Sequence, residues 1–158
     1  KKERTQFFTY SNEIDSSEIV FFTKKNSKIT FKTLKDLIPH KIGVVRAYHY
    51  SDEFSDFKKN LKLFEASHSK DNLKLLIFDR VDLILGSKKV IQSLIKEHYP
   101  DFKNSIINLT PKLVSNKLYI TISKKRKNHK QIIVDFNEGL KEIKRDGTYK
   151  KILNLHSF

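Results

Sequence analysis

At 158 residues the chain is long enough to bury a real core, and its 38% hydrophobic and 11% aromatic residues exclude a largely disordered protein. The absence of cysteine excludes disulfides and thiolate metal sites, and no apolar run approaches the ~20 residues of a membrane span. Thirty-two Lys and Arg against eighteen Asp and Glu give a formal net charge of +14, which would attract nucleic acid, anionic lipid or acidic solutes.

The order of apolar segments predicts an alternation of strands and helices. In chain order we predict a strand at 19–22, a helical turn at 33–39, a strand at 42–45, a helix at 51–61, a strand at 63–66, a helix at 69–78, a strand at 81–85 and a helix at 87–98. Ser51 is suited to cap the first long helix, whose apolar residues Phe54, Phe57 and Leu61 share one face. Because parallel strands need crossover connections, this order predicts an α/β fold with a mostly parallel sheet flanked by helices.

The last third of the chain predicts a strand at 118–122 and a helix near 127–144, followed by a short helix at 149–155. Gly147 fits a left-handed helix end, and Thr148 is suited to cap the last helix. The strands at 19–22 and 118–122 bracket the alternating block, so we interpret them as connectors between two bodies.

The densest basic run, residues 123–130, lies at a predicted junction between a strand and a helix. Since lysines are spread over nearly every predicted element, we interpret the run as a solvated surface turn. No zinc-finger spacing, glycine-rich RNA-binding signature or helix-turn-helix pattern is present, so we expect no specific nucleic-acid partner. Residues 1–4 lack the apolar segment of a signal peptide, so an exported protein would already have lost its leader.

Patterns that carry chemistry are scarce. No two of the six histidines have the i, i+4 spacing of a zinc enzyme, and Asp52 with Glu53 is better explained as an electrostatic cap of a helix start. There is no nucleophile elbow, phosphate-binding glycine loop or dinucleotide fingerprint. We therefore expect no catalysis, no metal and no cofactor.

The most informative segment is residues 45–50, which follow a buried strand and precede a helix. Open α/β sheets bind ligands at this place, beside helix N-termini whose free N–H groups favour anions. Tyr48 and Tyr50 offer flat walls with hydroxyls, and Arg46 and His49 offer donors. The competing interpretation is that the two tyrosines only pack the helix onto the sheet.

Five separated motifs, taken together, occur in a known family. They are Arg4-Thr5-Gln6 before Phe8-Thr9-Tyr10-Ser11, LKDL at 34–37 with KIGVV at 41–45, Arg80-Val81-Asp82 with Asp79 in place of a glycine, FNEGL at 136–140, and KRDGTYKKI at 144–152. With them the chain resembles the family 3 extracellular solute-binding proteins, the amino-acid receptors of ABC transporters.

The resemblance implies a type II periplasmic-binding-protein-like fold, in which two lobes joined by two crossing strands hold a ligand in their cleft. It predicts a lobe-one remnant and first hinge strand at 1–33, a complete second lobe at 34–116, and the second hinge strand with late lobe-one helices at 117–158. About eighty residues of the first lobe are then expected to be missing before residue 1. The faces so uncovered could be buried by a homodimer that exchanges strands or lobes.

The resemblance also implies roles for individual residues. Arg4 matches the arginine that clamps the ligand carboxylate, and the loop at 47–49 matches the one that offers N–H groups and a hydroxyl to it. In that loop Ala47 replaces the common glycine, and Tyr48 is bulkier than the usual Ser or Thr. Ser87 stands where an acidic residue receives the ligand ammonium, so an acidic or neutral ligand is as plausible as an ordinary amino acid.

Two functional hypotheses follow. In the first, the protein is exported, periplasmic or otherwise, and without catalysis binds a small polar solute, amino-acid-like or an organic acid, for a membrane permease or sensor protein. In the second, the chain is a truncated structural or interaction protein whose basic surface binds no small ligand.

Overall fold

The structure is a computed structural model, and it describes residues 3–155. Residues 1, 2 and 156–158 lie outside the described part, including the last three of the predicted segment 117–158. The chain divides into two compact units, which we describe separately: unit 1 contains residues 3–16 and 117–155, and unit 2 contains residues 17–116. None of the described helices is both long enough and apolar enough to cross a membrane.

The described chain contains eight strands and five α-helices, which alternate within residues 41–98. The strands are β1 (Phe8–Tyr10), β2 (Asp15–Lys24), β3 (Lys41–Val45), β4 (Lys62–Ala66), β5 (Leu83–Ser87), β6 (Ile106–Asn108), β7 (Val114–Leu118) and β8 (Thr121–Ser123). The helices are α1 (Asp52–Phe57), α2 (Ser69–Ile77), α3 (Lys88–His98), α4 (His129–Arg145) and α5 (Thr148–Leu155), with 3₁₀ turns at Glu3–Gln6, Leu34–Leu37, Lys58–Asn60 and Pro100–Phe102.

The sheet of unit 2 has the order β4-β3-β5-β2-β6. Strands β4, β3 and β5 are mutually parallel, as their alternation with helices predicts, and β2 runs antiparallel between β5 and β6. Helix α1 begins as predicted, because the Ser51 hydroxyl accepts a hydrogen bond from the Phe54 N–H at 3.1 Å. It ends at Phe57, and the chain continues as a 3₁₀ turn at Lys58–Asn60.

Both faces of this sheet are covered by apolar side chains. Along β2, Ile19 and Phe21 belong to one buried cluster, whereas Val20 and Phe22 belong to the cluster on the opposite face. This alternation follows from the two-residue period of a strand. A strand buried on both faces needs an unbroken apolar run, which explains why 19–22 was recognisable in the sequence.

Helix α2 lies against the sheet through a buried polar contact. The fully buried Asn72 side-chain amide donates to the carbonyl oxygens of Gly43 on β3 at 3.2 Å and of Leu85 on β5 at 3.3 Å. A Cβ at position 43 would overlap the Asn72 Oδ1 and would lie 3.0 Å from the Ile84 Cγ2. Glycine is therefore required at position 43 for close approach.

Unit 1 combines the antiparallel pair β1 and β8 with α4 and α5. Thr9 on β1 contacts His129 at the start of α4, with 2.7 Å between Oγ1 and Nδ1. Helix α4 buries Ile133 and Leu140. Gly147 has a φ of 82°, the left-handed conformation that the sequence predicted for this helix end.

The predicted end of α1 at residue 61 is wrong, and so are three further boundary predictions. The strand predicted at 118–122 is interrupted, because the Ile120 N–H donates to Ser11 Oγ and the Ile120 carbonyl accepts from the Ser11 N–H. The strand predicted at 81–85 begins only at Leu83, because the Val81 N–H donates to the Leu75 carbonyl. Helix α5 begins at Thr148 itself, and the Thr148 N–H donates to the Asp146 carboxylate at 2.8 Å.

Candidate functional site

Strands β3, β4 and β5 end at one edge of the sheet of unit 2. Val45 is in register with Ala66, and the Arg46 N–H donates to the Ala66 carbonyl at 2.9 Å. Gly43 on β3 is in register with Ile84 on β5. Arg46 lies three residues after Gly43, and Ser87 lies three residues after Ile84. The structure therefore brings the predicted loop at 46–50 and the predicted Ser87 to the same edge, where parallel sheets bind ligands.

The loop after β3 is an exposed turn. Its Tyr48 N–H donates to the Val45 carbonyl at 3.2 Å, and Ala47 has a φ of 57°. This left-handed conformation suits glycine and costs an alanine about 1–2 kcal/mol. Ala47 and His49 are exposed residues, and within residues 3–155 their backbone N–H groups donate to no acceptor. Two donors are thus available at the surface of the turn.

The two tyrosines of the loop have different environments. Tyr50 is 4% exposed, packs against Phe54, and accepts a hydrogen bond on its hydroxyl oxygen from the Val45 N–H at 2.8 Å. Tyr48 is 52% exposed, and its ring lies 4.7 Å from that of Tyr50. Tyr50 therefore joins the loop to the core, whereas Tyr48 leaves a ring face and a hydroxyl available.

Burial raises the pKa of Tyr50 from 10.0 to about 12, although the Val45 hydrogen bond acts in the opposite direction. Because the folded state holds this proton more tightly than the unfolded state, the stabilisation is complete below pH ~10 and is lost as the pH rises towards ~12. Between pH ~9 and ~11.5 the free energy of unfolding should fall by about 2 kcal/mol more for the natural chain than for Tyr50→Phe. Denaturant titrations at both pH values measure this difference, and equal losses would contradict it.

Arg46 and His49 are exposed and have acidic neighbours. The Arg46 Nε lies 3.3 Å from a Glu65 carboxylate oxygen on β4. His49 lies 3.2 Å from the Asp52 carboxylate and 3.3 Å from the Ser55 hydroxyl. The Glu65 carboxylate offsets part of the positive charge of Arg46, and these contacts hold both side chains at the rim of the turn.

Ser87 ends β5 and immediately precedes α3. Its hydroxyl is half-buried and lies 3.1 Å from the Ser17 hydroxyl on β2, so it does not cap the N-terminus of α3. Reasoning from the sequence did not identify Ser17. The β2 to β5 register, in which Ile19 faces Ser87, is the information that was lacking.

Arg4 lies in unit 1, in the 3₁₀ turn Glu3–Gln6. Its side chain is exposed, and its guanidinium carbon lies 5.5 Å from the centre of the Phe8 ring. This cation–π contact restrains the guanidinium without using its hydrogen-bond donors. Within residues 4–155, no three His, Asp or Glu side chains are grouped as a metal site requires.

A sequence model of the bacterial extracellular solute-binding proteins, family 3, matches residues 1–156. The chain belongs to this family. The family is one of solute-binding proteins rather than enzymes, which agrees with the resemblance described above. No curated protein sequence matches the chain.

Solved structures with the same fold include three binding proteins. A mutant of ArgBP from T. maritima superposes with a TM-score of 0.70 at 19% identity, covering 97% of this chain and 63% of its own. An amino acid ABC transporter substrate-binding protein from Streptococcus pneumoniae, bound to L-arginine, gives 0.73 at 17% identity, covering 99% and 63%. The GluR0 ligand-binding core from Nostoc punctiforme, in complex with (L)-glutamate, gives 0.72 at 18% identity, covering 99% and 68%.

These similarities confirm the predicted α/β, type II periplasmic-binding-protein-like fold. The chain spans about two thirds of the length of the structures it matches, 63% for two of them and 68% for the third. At below 25% identity they establish the fold alone.

Proposed function

We propose that the chain binds a small polar solute, an amino-acid-like compound or an organic acid, in the interlobe cleft that its family resemblance implies, for uptake or sensing. The observation that carries this proposal is the exposed turn after β3, in which the N–H groups of Ala47 and His49 have no acceptor within residues 3–155. Such donors are suited to a carboxylate, because they are fixed in position before the ligand arrives.

The side chains around the turn support recognition of the rest of a solute. Tyr48 offers an exposed ring face that an apolar part of the ligand can cover. Tyr50, below it, keeps the turn in place, since its hydroxyl is already used by the Val45 N–H. We assign Tyr50 a supporting role, and Arg46 and His49 a role at the rim.

The Ser17 and Ser87 pair favours a ligand whose opposite end is neutral. Two hydroxyls at 3.1 Å can donate to or accept from a ligand, but they supply no negative charge for an ammonium group. Glu18, the nearest carboxylate in sequence, is paired with Lys112 at 2.8 Å, and this hydrogen bond lowers the pKa of Glu18. An organic acid therefore fits this part of the site best, as does an amino acid whose ammonium group is bound by another part of the site.

Arg4 is the proposed clamp on the ligand carboxylate, an assignment that rests on the family resemblance. The guanidinium keeps its donors for a ligand, since its contact with Phe8 uses only the ring face. We further propose that the protein has no catalytic activity, is exported, and presents its bound form to a membrane permease or sensor protein. We also propose that two copies of the chain can form a homodimer by exchanging strands or lobes.

A thermal-shift screen of amino acids, organic acids and polyamines tests the proposal. One compound at about a hundred times its Kd should stabilise the chain by about 2.7 kcal/mol, which raises Tm by roughly 5–10 °C, and the effect should saturate. Arg4→Ala should abolish this shift. Arg145→Ala, which removes an exposed arginine of the same unit, should leave it unchanged.

The absence of a saturable shift across all three classes would contradict the proposal and favour an interaction protein that binds no small ligand. A rise in Tm that survives Arg4→Ala would support solute binding but contradict the assignment of Arg4 as the clamp on the carboxylate.

A further inference from the structure

A basic turn and an exposed aromatic ring are neighbours in unit 1. The basic turn consists of Lys124, Lys125, Arg126 and Lys127, which follow β8. The Lys124 N–H donates to the Phe7 carbonyl at 2.8 Å, and the Lys124 Nζ donates to the Thr5 carbonyl at 2.7 Å. Phe7 is 63% exposed, so a large apolar side chain lies in solvent beside the turn.

The charges of the basic turn are not neutralised within the described chain. No acidic side chain of residues 4–155 forms an ion pair with any of the four, and the Arg126 Nε donates to the Asn128 Oδ1 at 3.1 Å. Elsewhere lysines do find carboxylates, as Lys24 does with Asp79 at 2.6 Å and Lys117 does with Glu13 at 2.7 Å. The four adjacent cations therefore repel one another unless an external anion is present.

We propose that the basic turn and Phe7 form a docking surface for an anionic lipid membrane. Anionic headgroups attract each nearby Lys or Arg, while the boundary between headgroups and acyl chains accepts an aromatic ring. A membrane surface thus satisfies both features at once. The proposal goes beyond solute binding, and it uses none of the residues assigned to the ligand.

A nucleic-acid duplex fits these observations less well. A duplex offers phosphates but no apolar phase for Phe7, and the four cations occupy one compact turn instead of a long stripe along a polyanion. Binding to anionic vesicles and binding to a DNA duplex, measured at the same ionic strength, distinguish the two alternatives.

Vesicle co-sedimentation of the full chain tests the proposal. The chain should sediment with vesicles of phosphatidylglycerol and phosphatidylcholine at about 0.1 M salt, and not with phosphatidylcholine alone. Each neutralised charge should reduce partitioning about fivefold, so Lys125→Gln/Arg126→Gln/Lys127→Gln should reduce it roughly 100-fold. Phe7→Ser should reduce it roughly tenfold with the charge unchanged.

Lys58→Gln/Lys59→Gln/Lys62→Gln is the matched control, because it removes three exposed cations from unit 2 and leaves the same net charge. It should reduce partitioning by less than about threefold, since none of the three lysines belongs to the proposed docking surface. Circular dichroism checks the fold of each variant.

Equal losses for the two triple variants, or no loss for Phe7→Ser, would overturn the proposal. So would a failure to prefer anionic vesicles. Binding of a labelled DNA duplex at least as tight as binding to the anionic vesicles, with the same losses, would replace the membrane by a nucleic acid.

Discussion

Gly43→Ala should destabilise unit 2 by about 3 kcal/mol. The new methyl group would overlap the Asn72 Oδ1 and lie 3.0 Å from the Ile84 Cγ2. Asn72 is fully buried, so it cannot move without losing its hydrogen bonds to the Gly43 and Leu85 carbonyls. Overpacking and the loss of buried hydrogen bonds therefore add up, and urea denaturation followed by circular dichroism measures the total.

Gly139→Ala is the matched control for this substitution. Gly139 lies within α4, and a Cβ there would meet nothing within 4 Å. The same chemical change should therefore stabilise unit 1 by about 0.5–1 kcal/mol, because alanine loses less backbone entropy in a helix. Asn72→Ala combined with Gly43→Ala should cost less than the sum of the single changes, since it removes the overlapping atom. Strict additivity would argue against the overlap as the cause.

Tyr50→Ala should destabilise unit 2 by about 4 kcal/mol, whereas Tyr48→Ala should cost less than about 1 kcal/mol. Tyr50 is 4% exposed and fills the core beside Phe54, so its removal leaves a cavity and an unpaired Val45 N–H. Tyr48 is 52% exposed and loses mainly its contact with the Tyr50 ring. Denaturant unfolding of the two variants measures the difference.

The same pair of variants separates packing from binding. Tyr48→Ala should reduce the ligand-induced rise in Tm while leaving the unliganded Tm nearly unchanged. Similar losses of stability for both variants would contradict the assignment of Tyr50 to the core and Tyr48 to the surface.

The sequence predicted the elements whose signals are local. The apolar run at 19–22, the Ser51 cap and Gly147 each depend on neighbours within a few residues, and each appears in the structure as expected. The break at Ile120 could not be predicted, because it arises from hydrogen bonds to Ser11, more than a hundred residues earlier in the chain.

In the candidate site, too, features with local sequence signals could be predicted, whereas features that depend on distant residues could not. Strand and helix order alone indicated the edge that carries the loop at 46–50. The burial of Tyr50 and the exposure of Tyr48 were left open, because two tyrosines two residues apart in an irregular turn follow no fixed period. The pairing of Ser17 with Ser87 required the antiparallel register of β2, which no local pattern encodes.

The hydrogen bond from the Val45 N–H to the Tyr50 hydroxyl also bears on how such a loop can diversify. The hydrogen bond joins the end of β3 to the buried residue that precedes α1. Residues 46–49 can therefore vary without disturbing the core. Under the proposed function, changes of ligand preference and changes of folding stability would then fall on separate positions. Tolerance of Ala47 in a left-handed turn, at a place suited to glycine, is one instance of that freedom.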